Sequence, residues 1–459
     1  MTPVATWDVV VLGGGPAGST IARMLARWGH KVLLYSPEDN KPARAESLPP
    51  SIRNLFELLE IRDRIDAADF YPDGGNTSWW SSSTPREEHF APGATGWHVD
   101  RRKFDALLRD LAVESGVTVT TEHPASKEPR FLIDCTGRFG MIAQHSRIID
   151  NRYRTACFGA EWTGQWDAEP THALIEAYED GWAWSVPLGP NTRHLAFMVD
   201  HGRNRGGVRK AYADELAKTQ VLSRLFAGST MTGVPWASDA SLYRAREYAT
   251  SSWLLVGDAG CTVDPLSSFG VKKALISAWV GAVTVNTCLT RPDLAGAAIQ
   301  LFNDREQQTF SDHARQAAIQ FGELTTRFPT KFWQSRAILS TDLQLYDPES
   351  LRLAHESLRS ANAIQLRLTK SLSLHRVPAI AGREVVLLDR LVIPGLPSTI
   401  EYIQGVNLVE LARTAEKYQQ VPDLFEAYNA TATVVALPNF IAALSFLLAN
   451  GILTNQLAA

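Results

Sequence analysis

The stretch VVVLGGGPAGSTIARMLARWGHKVLLY, at residues 9–35, decides the fold of this chain. Residues 7–12 form an apolar run that is typical of a buried parallel strand and ends at Gly13. Residues 17–28 follow a helical pattern, and residues 31–35 return to a strand pattern. Together they predict a βαβ unit of about thirty residues, the size of one mononucleotide-binding half of a doubly wound sheet.

Three glycines in this unit carry the first chemical signal. Gly13, Gly15 and Gly18 form a GxGxxG motif between strand and helix, the context in which the motif indicates dinucleotide binding. The first glycine permits a tight turn, the second lets the backbone approach a pyrophosphate, and the third lets the helix pack on the strand. Ala17 joins them as a predicted cofactor contact, because the N-terminus of a helix attracts phosphate.

The second strand ends at Ser36, where dinucleotide-binding proteins usually carry a carboxylate for the ribose. Glu38 and Asp39 follow in the loop. Either carboxylate, or Ser36 itself, could reach a ribose hydroxyl. We therefore predict the adenosine contact at one of these three positions.

A second informative block, WLLVGDAGCTVDPLSSFGVKKALIS, spans residues 253–277. A buried strand pattern ends at Gly257, and Asp258 follows it, placed to hold the hydroxyls of a ribityl chain. The helix that starts after Gly270 brings backbone N–H groups, that of Val271 among them, toward a flavin ring. Such groups stabilise negative charge on reduced flavin.

Length and composition restrict the class of protein. The 459 residues suffice for two or three domains, and 45% apolar with 20% charged residues is typical of globular proteins. A net charge of -4 and a pI near 6.3 argue against a nucleic-acid partner. The eleven histidines lack HxxxH or HExxH spacing, so we expect no metal site. Four cysteines without a CxxC pair favour a reduced, cytoplasmic location: Cys135, Cys157, Cys261 and Cys288.

Membrane-directed segments are not expected. The N-terminus leads almost directly into the first strand, which leaves no room for a signal peptide. The apolar stretch at residues 440–448 is about half the roughly 20 residues that a bilayer span needs. We interpret that stretch as a buried helix or a docking face.

The remaining patterns complete an α/β fold class. Residues 131–134 predict a further buried strand of the parallel sheet, which stops at Thr136 and Gly137. Short strands are predicted at regular spacing in an antiparallel sheet, at residues 157–162, 172–178, 182–188 and 194–199. Beyond Gly270 nearly every segment has a helical pattern. We therefore predict a doubly wound parallel sheet that binds the flavin, an antiparallel-sheet substrate domain and a helical C-terminal region.

The predicted domains are discontinuous in sequence. The flavin-binding domain takes residues 1–75, 99–155 and 250–300. The substrate domain takes residues 76–98 and 156–249, and the helical region takes residues 301–459.

Four blocks of sequence together resemble flavoprotein monooxygenases and their halogenase relatives, over most of residues 1–290. The blocks are Gly13–Gly18, Arg101 with Asp105 four residues on, Asp134–Gly137 and Gly257–Gly270. The resemblance implies FAD as the cofactor, with Arg101 at its phosphate-ribose region, Asp258 at its ribityl and pyrophosphate groups, and Pro265 beside the isoalloxazine ring. An alternative role for Arg101 is that of a surface arginine at a helix start.

Two details bear on the reaction. GWAWSVPL at residues 181–188 resembles the WxWxIP element of flavin-dependent tryptophan halogenases, with Val186 in place of isoleucine. Halogenases also use a lysine placed after the second strand, and no lysine occurs between Lys41 and Lys103. The corresponding stretch, ESLPP, begins with the acid Glu46. An acid in place of the lysine that halogenases use favours oxygen transfer over halogen transfer.

The stretch DPLSSFGVKKAL, at residues 264–275, resembles flavoproteins that mature tryptophylquinone enzymes, in which a tryptophan of a partner polypeptide is hydroxylated. The long C-terminal region suits such a peptidyl substrate. Solvation is the alternative interpretation of the adjacent Lys272 and Lys273. The candidate catalytic acids and bases are Glu46, Asp264 and Lys272, with Glu161 as an outside candidate.

These patterns predict an FAD-dependent monooxygenase that hydroxylates an aromatic substrate, with a tryptophan of a partner polypeptide as the proposed target. The alternatives are a flavin-dependent halogenase, an isoprenoid-type reductase, and a flavin-binding assembly factor without catalysis. No second GxGxxG motif is present, so electrons would come from a separate reductase, from free reduced flavin or from transiently bound NAD(P)H.

Overall fold

The structure is a computed structural model of the chain. It describes residues 7–37, 44–124, 129–144, 146–149, 153–202, 206–338, 348–360, 363–369, 373–392, 402–431 and 433–457. Every statement below about which elements or contacts are present refers to these residues.

The first half of the chain contains both helices and strands, as an α/β protein requires. The helices are α1 (Pro16–Arg27), α2 (Arg53–Leu58), α3 (Arg62–Asp66), α4 (Arg101–Glu114), α5 (Val208–Lys218), α6 (Leu222–Leu225), α7 (Gly270–Thr290), α8 (Ala295–Gly322), α9 (Lys331–Ala337), α10 (Pro348–Ser360), α11 (Leu408–Ala415), α12 (Val421–Thr431) and α13 (Leu437–Ala449). The strands up to residue 200 are β1 (Val9–Leu12), β2 (Val32–Tyr35), β3 (Ala45–Leu48), β4 (Tyr71–Asp73), β5 (Gly75–Trp79), β6 (Arg86–His89), β7 (Gly96–Asp100), β8 (Thr118–Thr120), β9 (Phe131–Asp134), β10 (Arg147–Ile149), β11 (Thr155–Thr163), β12 (His172–Tyr178), β13 (Gly181–Gly189) and β14 (Thr192–Asp200). The later strands are β15 (Thr230–Asp239), β16 (Tyr243–Ala245), β17 (Trp253–Leu255), β18 (Leu366–Leu368), β19 (Ser373–Ala381), β20 (Glu384–Val392), β21 (Tyr402–Ile403), β22 (Val406–Asn407) and β23 (Leu453–Asn455).

A parallel sheet forms the first layer, with the strand order β17–β9–β1–β2–β8. β1 lies at its centre, where Val9 pairs with Val32 of β2 and with Phe131 of β9. All four side chains of β1 are buried, as expected for the middle of a parallel sheet. The predicted βαβ unit and the predicted parallel sheet are confirmed.

The antiparallel sheet forms a second layer, in the order β15–β11–β14–β13–β12–β5–β6, with β12 and β5 as its parallel neighbours. Side chains alternate between its two faces. On one face Phe158, Leu195 and Phe197 pack with Tyr212 of α5 in a hydrophobic core. His194, Ala196 and Met198 of β14 alternate with those core residues, so they occupy the opposite face.

No strand was predicted over residues 230–239, which form β15, an edge strand of the sheet whose side chains are mostly exposed. Such an exposed edge strand lacks the regular apolar alternation that predicts a strand. A 3₁₀ turn at Pro50–Ile52 precedes α2, and Glu60, two residues past the end of α2, adopts a φ of 54°.

The chain divides into two compact units. The first comprises residues 1–339 and 382–384, and the second comprises residues 340–381 and 385–459. The second unit has its own hydrophobic core, which includes Leu408, Leu411 and Leu444. The predicted assignment of sequence segments to flavin and substrate domains stays a prediction, since compactness alone does not define function.

The prediction of helices alone beyond Gly270 was too simple. The second unit also contains β18 paired with β23 and β21 paired with β22, and β19 pairs with β20. Several of these strands have only two or three residues, too few to show a period of two. The apolar stretch at residues 440–448 lies within α13 and is largely buried, which confirms its interpretation as a buried helix. None of the helices in the described part of the chain combines the length and apolarity that a bilayer crossing demands.

Candidate functional site

The glycine turn between β1 and α1 has the geometry that a dinucleotide requires. Gly13 has a φ of 99°, and a side chain there would lie 2.5 Å from the carbonyl oxygen of Cys135. A side chain on Gly18 would collide with the carbonyl oxygen of Gly13. At Gly15, by contrast, the nearest neighbouring atom to an added Cβ is Oδ2 of Asp105 at 4.0 Å. The turn is therefore closely packed at Gly13 and Gly18 and open at Gly15. The open side leaves room for a pyrophosphate at the N-terminus of α1.

Ser36 lies beside this turn. Its N–H donates to the carbonyl of Thr120 at 2.9 Å, and its hydroxyl occupies the space that a side chain on Gly14 would need. The position fits the predicted adenosine contact, which stays a prediction. Glu38 and Asp39, the other two candidates, fall outside the described residues.

Arg101 bridges Asp105 of its own helix and Glu46 of β3. Its Nε and Nη2 donate to Oδ1 and Oδ2 of Asp105 at 2.9 and 3.1 Å, and its Nη1 donates to Oε1 of Glu46 at 3.1 Å. Arg101 begins α4 and its side chain is 24% exposed, so it is a partly buried arginine at a helix start. Burial raises the pKa of Glu46, and the charge of Arg101 opposes this only in part. The predicted contact between Arg101 and FAD remains a prediction.

Asp258 follows β17 in the 3₁₀ turn Gly257–Ala259 and forms an ion pair with Lys273. Lys273 Nζ lies 2.9 Å from Oδ1 of Asp258, and the lysine is 1% exposed. Burial disfavours the charged carboxylate, but Lys273 and the nearby arginines Arg138 and Arg101 hold the pKa of Asp258 below its usual value. The solvated interpretation is therefore wrong for Lys273.

The neighbouring lysine, Lys272, has a different environment. Its Nζ donates to Oγ of Ser51 at 3.0 Å, and partial burial lowers its pKa. It was the predicted catalytic lysine, yet Lys273 is the one that reaches Asp258. One residue of offset in a helix turns a side chain by about 100°, which is why two adjacent lysines differ so much.

A cavity of about 190 Å³ lies between this turn region and one face of the antiparallel sheet. Its lining residues are Arg44, Ala45, Glu46, Arg138, Cys157, Trp184, His194, Ala196, Met198, Trp236, Ser238, Asp239, Ala240, Asp258, Thr262, Val263, Asp264, Pro265, Ser268 and Gly270. The cavity thus brings together predicted catalytic and cofactor-binding residues from separate parts of the sequence. Lys272, Val271 and Glu161 are not among the lining residues.

Asp264 has a structural contact as well as a cavity position. Its Oδ1 accepts the N–H of Leu266 at 3.0 Å and caps the 3₁₀ turn Pro265–Ser267. The residue is 4% exposed, and burial raises its pKa to about 6, against the opposing hydrogen bond from Leu266. A carboxyl group with this pKa can exist in either protonation state near neutral pH.

The two tryptophans of GWAWSVPL have different environments. Trp182 is 2% exposed and packs in a core with Trp80 and Trp333, whereas Trp184 lines the cavity. Their spacing of two places both on the same face of β13. Trp184 is therefore the member of the pair that can meet a substrate.

Several cavity residues were missed by the sequence analysis: Arg44, Arg138, Cys157, His194 and Trp236. A signal existed for His194, since positions 194, 196 and 198 share one face of a predicted strand. Trp236 gave no such signal, because β15 itself was not predicted.

A glycine turn of the dinucleotide-binding type and a cavity with aromatic walls are the features expected of a flavin-dependent oxidoreductase. The family follows from the sequence, because residues 76–359 match the family described as Tryptophan halogenase, which is more than half of the chain. The chain belongs to the tryptophan halogenase family. The predicted resemblance and the predicted α/β fold class are confirmed.

Individual relatives are distant. The chain is 26% identical over 343 residues to the flavin-dependent halogenase rdc2 of Metacordyceps chlamydosporia, with 61% of this chain and 65% of that protein covered. It is 24% identical to the tryptophan 2-halogenase of Chondromyces crocatus, over 74% of this chain and 72% of that one. The chain thus spans about two thirds of the length of the curated relatives that it matches.

Solved structures share the fold over nearly the whole chain. The flavin-dependent halogenase CmlS superposes with a TM-score of 0.78 and 20% identity, covering 98% of this chain and 96% of that one. The peptidyl tryptophan dihydroxylase QhpG, described as essential for tryptophylquinone cofactor biogenesis, superposes with a TM-score of 0.68 and 23% identity, covering 97% and 100%. At these identities the likeness concerns the fold and leaves the reaction open.

Proposed function

We propose that this chain is an FAD-dependent monooxygenase that hydroxylates an electron-rich aromatic ring. The observation that carries the proposal is the composition of the cavity wall, to which Trp184, Trp236, Glu46 and Pro265 all contribute. None of the described residues that line the cavity is a lysine. An aromatic wall beside a flavin suits an aromatic substrate, and the acid in place of a lysine favours oxygen transfer over halogen transfer.

FAD is the cofactor of this site, in keeping with the flavin-dependent family to which the chain belongs. The open turn at Gly15 and the N-terminus of α1 would hold the pyrophosphate, and Ser36 the adenosine end. Asp258 would hold the ribityl hydroxyls, while Pro265, Gly270 and Val271 would lie against the ring. The space around a Cβ placed on Gly270 is empty to 4 Å, so a planar ring can approach that backbone. Reduced FAD supplies the electrons that activate dioxygen.

The chain's own residues bind, orient and desolvate the substrate. Trp184 and Trp236 offer flat apolar surfaces on which an aromatic ring can pack, and they exclude water from the reacting edge. Glu46 lies at the cavity wall, and burial raises its pKa against the opposing charge of Arg101, so it is a candidate to exchange a proton with the substrate. Asp264 offers a second carboxyl with a pKa of about 6.

The substrate in this proposal is an aromatic ring, with a tryptophan side chain of a partner polypeptide as one form. The fold shared with a peptidyl tryptophan dihydroxylase supports the peptidyl form. Electrons would come from a separate flavin reductase or from NAD(P)H, because the sequence has a single GxGxxG motif.

Halogen transfer is the second candidate, and the names of the relatives favour it. Lys41 would be its catalytic lysine, because Lys41 comes after β2 and just before the ESLPP stretch. Lys41 lies outside the described residues.

The test compares wild type with Lys41→Ala. Each protein, loaded with FAD and supplied with reduced flavin, dioxygen and bromide, is incubated with indoles, phenols and tryptophan-containing polypeptides, and products are identified by mass spectrometry. The proposal predicts hydroxylated product from both proteins. Brominated product that disappears in Lys41→Ala would establish a halogenase instead. Oxygen-independent reduction of an added substrate would establish a reductase, and absence of any product would support a non-catalytic flavoprotein.

A further inference from the structure

Three neighbouring strands of the antiparallel sheet bring two histidines together, far from each other in sequence. His89 ends β6 and His172 begins β12, and both pair with Gly75 of β5, which lies between them. Residues on strands two apart are separated by about 9.5 Å, so their side chains meet only across a small residue. A side chain on Gly75 would collide with the carbonyl oxygen of Glu88 and lie 3.0 Å from Nε2 of His172. The glycine therefore leaves the space in which the two imidazoles meet.

The two imidazole rings face each other through nitrogen atoms. Nε2 of His172 lies 3.1 Å from Nδ1 of His89, and the rings are tilted by 54° with their centroids 4.6 Å apart. Two imidazole nitrogens that bind one zinc ion in tetrahedral geometry, each at 2.0–2.1 Å, are roughly 3.3 Å from each other. The observed separation of the nitrogens is therefore close to that of two ligands of one metal ion.

His172 is the fixed member of the pair and His89 the adjustable one. His172 is 1% exposed, and its Nδ1 lies 2.9 Å from Oγ1 of Thr77, which is also buried. When this hydroxyl accepts the Nδ1 proton, Nε2 has a free lone pair, and metal-binding histidines are commonly oriented in this way. The His89 side chain is 63% exposed, so its ring can turn toward an ion and water can reach the same ion.

Carboxylates near the pair favour a cation. Oε2 of Glu87 lies 3.7 Å from Nε2 of His89. The charges of Glu87 and Glu169 favour positive charge at His172, and the charge of Arg193 disfavours it. In the part of the chain that the structure describes, no group of three or more histidine, cysteine, aspartate or glutamate side chains is arranged for a metal. The protein therefore offers two imidazole ligands, and water would complete the coordination shell.

We propose that His89 and His172 form a binding site for a divalent transition metal such as Zn²⁺, with water in the remaining coordination positions. Imidazole suits Zn²⁺, Ni²⁺ and Cu²⁺, whereas Mg²⁺ and Ca²⁺ take oxygen ligands. The bound ion crosslinks β12 to β6, the strand at the edge of the sheet. Neither histidine lines the cavity, so the inference is independent of the proposed reaction. Motif spacing does not reveal this pair, because 83 residues separate the two ligands.

Calorimetric titration of FAD-loaded protein without a histidine tag tests the site. We expect saturable binding of one Zn²⁺ per chain and no binding of Mg²⁺ under the same conditions. His89→Ala removes a ligand from an exposed position and should weaken Zn²⁺ binding by about tenfold or more, because even the loss of an orienting partner costs about that much. His201→Ala, at another exposed histidine, is the matched control and should leave the affinity unchanged.

A second variant and a second measurement separate the two ligands from general surface binding. Thr77→Val keeps both histidines and nearly the same volume but removes the hydroxyl that orients His172, so it should weaken Zn²⁺ binding by roughly tenfold. With Cu²⁺ as the probe, electron paramagnetic resonance should show coupling to two imidazole nitrogens in the wild type and to one in His89→Ala. These readouts do not depend on turnover.

Three outcomes would overturn the inference. A wild type without saturable Zn²⁺ binding would show that the rings share only an N–H···N hydrogen bond. Wild-type affinity in His89→Ala would place the ion elsewhere on the protein. Equal weakening by His89→Ala and His201→Ala would indicate diffuse binding to surface histidines.

Discussion

Among single residues, Lys273 has the largest consequence for the cofactor site. It is buried beside Asp258, whose side chain is 42% exposed, and it also lies close to the buried Glu306 of α8. A buried lysine is stable only when carboxylates compensate its charge. The ion pair therefore fixes the position of Asp258, the proposed contact of the ribityl chain.

Lys273→Met should lower the free energy of unfolding by about 1 to 3 kcal/mol, less than the loss of a fully buried partner because Asp258 is partly hydrated. It should also weaken FAD binding, since Asp258 loses its fixed position. Urea denaturation and fluorescence titration with FAD measure the two effects. Lys272→Met is the matched control, and equal effects from the two variants would contradict the distinct role of Lys273.

Glu306 gives a pH-dependent prediction. Burial raises its pKa to about 7 in the folded protein, although the charge of Lys273 opposes the shift. The folded state thus binds more protons than the unfolded state between about pH 4.5 and 7, so stability falls as pH rises through this window. Glu306→Gln removes this loss of stability at high pH. At pH 8 the variant should be more stable than wild type by about 2 to 3 kcal/mol.

The stability difference between Glu306→Gln and wild type should shrink toward zero as pH falls below about 4.5, because Glu306 is then protonated in both the folded and the unfolded state. Denaturation profiles from pH 4 to 8 provide the measurement. Glu323→Gln, at an exposed position just past α8, controls for the loss of a glutamate. A constant difference between Glu306→Gln and wild type at every pH would contradict the prediction.

The sequence allowed correct predictions where a residue's role depends on its local backbone. Gly13 and Gly18 are of this kind, because the tight turn and the contact behind it need glycine whatever surrounds them. Lys273 and His194 are of the other kind. Their burial and partners arise from elements distant in sequence. The strand pattern placed His194 on one face of the sheet but not in a cavity, and nothing in the sequence distinguished Lys273 from a solvated lysine.

At the level of elements, the pairing of β11 with β15 shapes the cavity. Gly159 of β11 lies opposite Trp236 of β15, and a side chain on Gly159 would collide with the Trp236 ring. Cross-strand pairs in a sheet are close enough that a large residue often needs a small neighbour. The glycine therefore lets Trp236 fold over the sheet toward the cavity.

Gly159→Ala should displace Trp236, lower the free energy of unfolding by about 1 to 3 kcal/mol and weaken aromatic ligand binding. Gly228→Ala, where an added Cβ meets no atom within 4 Å, is the control and should change stability by less than about 1 kcal/mol. Thermal unfolding and ligand titration distinguish the two variants. Retained ligand affinity in Gly159→Ala would show that Trp236 does not need this space.

β9 and β12 match their predicted bounds, and most of their side chains are apolar and buried. β15 was missed because its side chains are mostly exposed at an edge of the sheet, and such strands are stabilised by pairing with β11 more than by their own sequence.

Across the whole molecule, the candidate site belongs to one of two compact units. All residues of the cavity and the glycine turn lie before residue 340, in the first unit. The second unit has its own core around α11 and α13. The α/β layers were predictable because the βαβ unit and the regular strands dominate the pattern, whereas the short strands of the second unit were not.

A core substitution in the second unit should leave cofactor binding unchanged. Leu444→Ala removes a fully buried side chain of α13 and should destabilise that unit by about 2 to 5 kcal/mol. Hydrogen-deuterium exchange should accelerate in α11 and α13, while the affinity for FAD stays at the wild-type value. A matching loss of FAD affinity would contradict the assignment of the whole cofactor site to the first unit.

The most direct test of the central proposal is the fate of dioxygen. FAD-loaded protein with reduced flavin, isotopically labelled dioxygen and an electron-rich aromatic compound such as 5-hydroxyindole is incubated in the presence of bromide, and the product is analysed by mass spectrometry. We predict a product that carries one labelled oxygen atom and no bromine. A product that carries bromine and no labelled oxygen would contradict the proposal and assign the chain to halogen transfer.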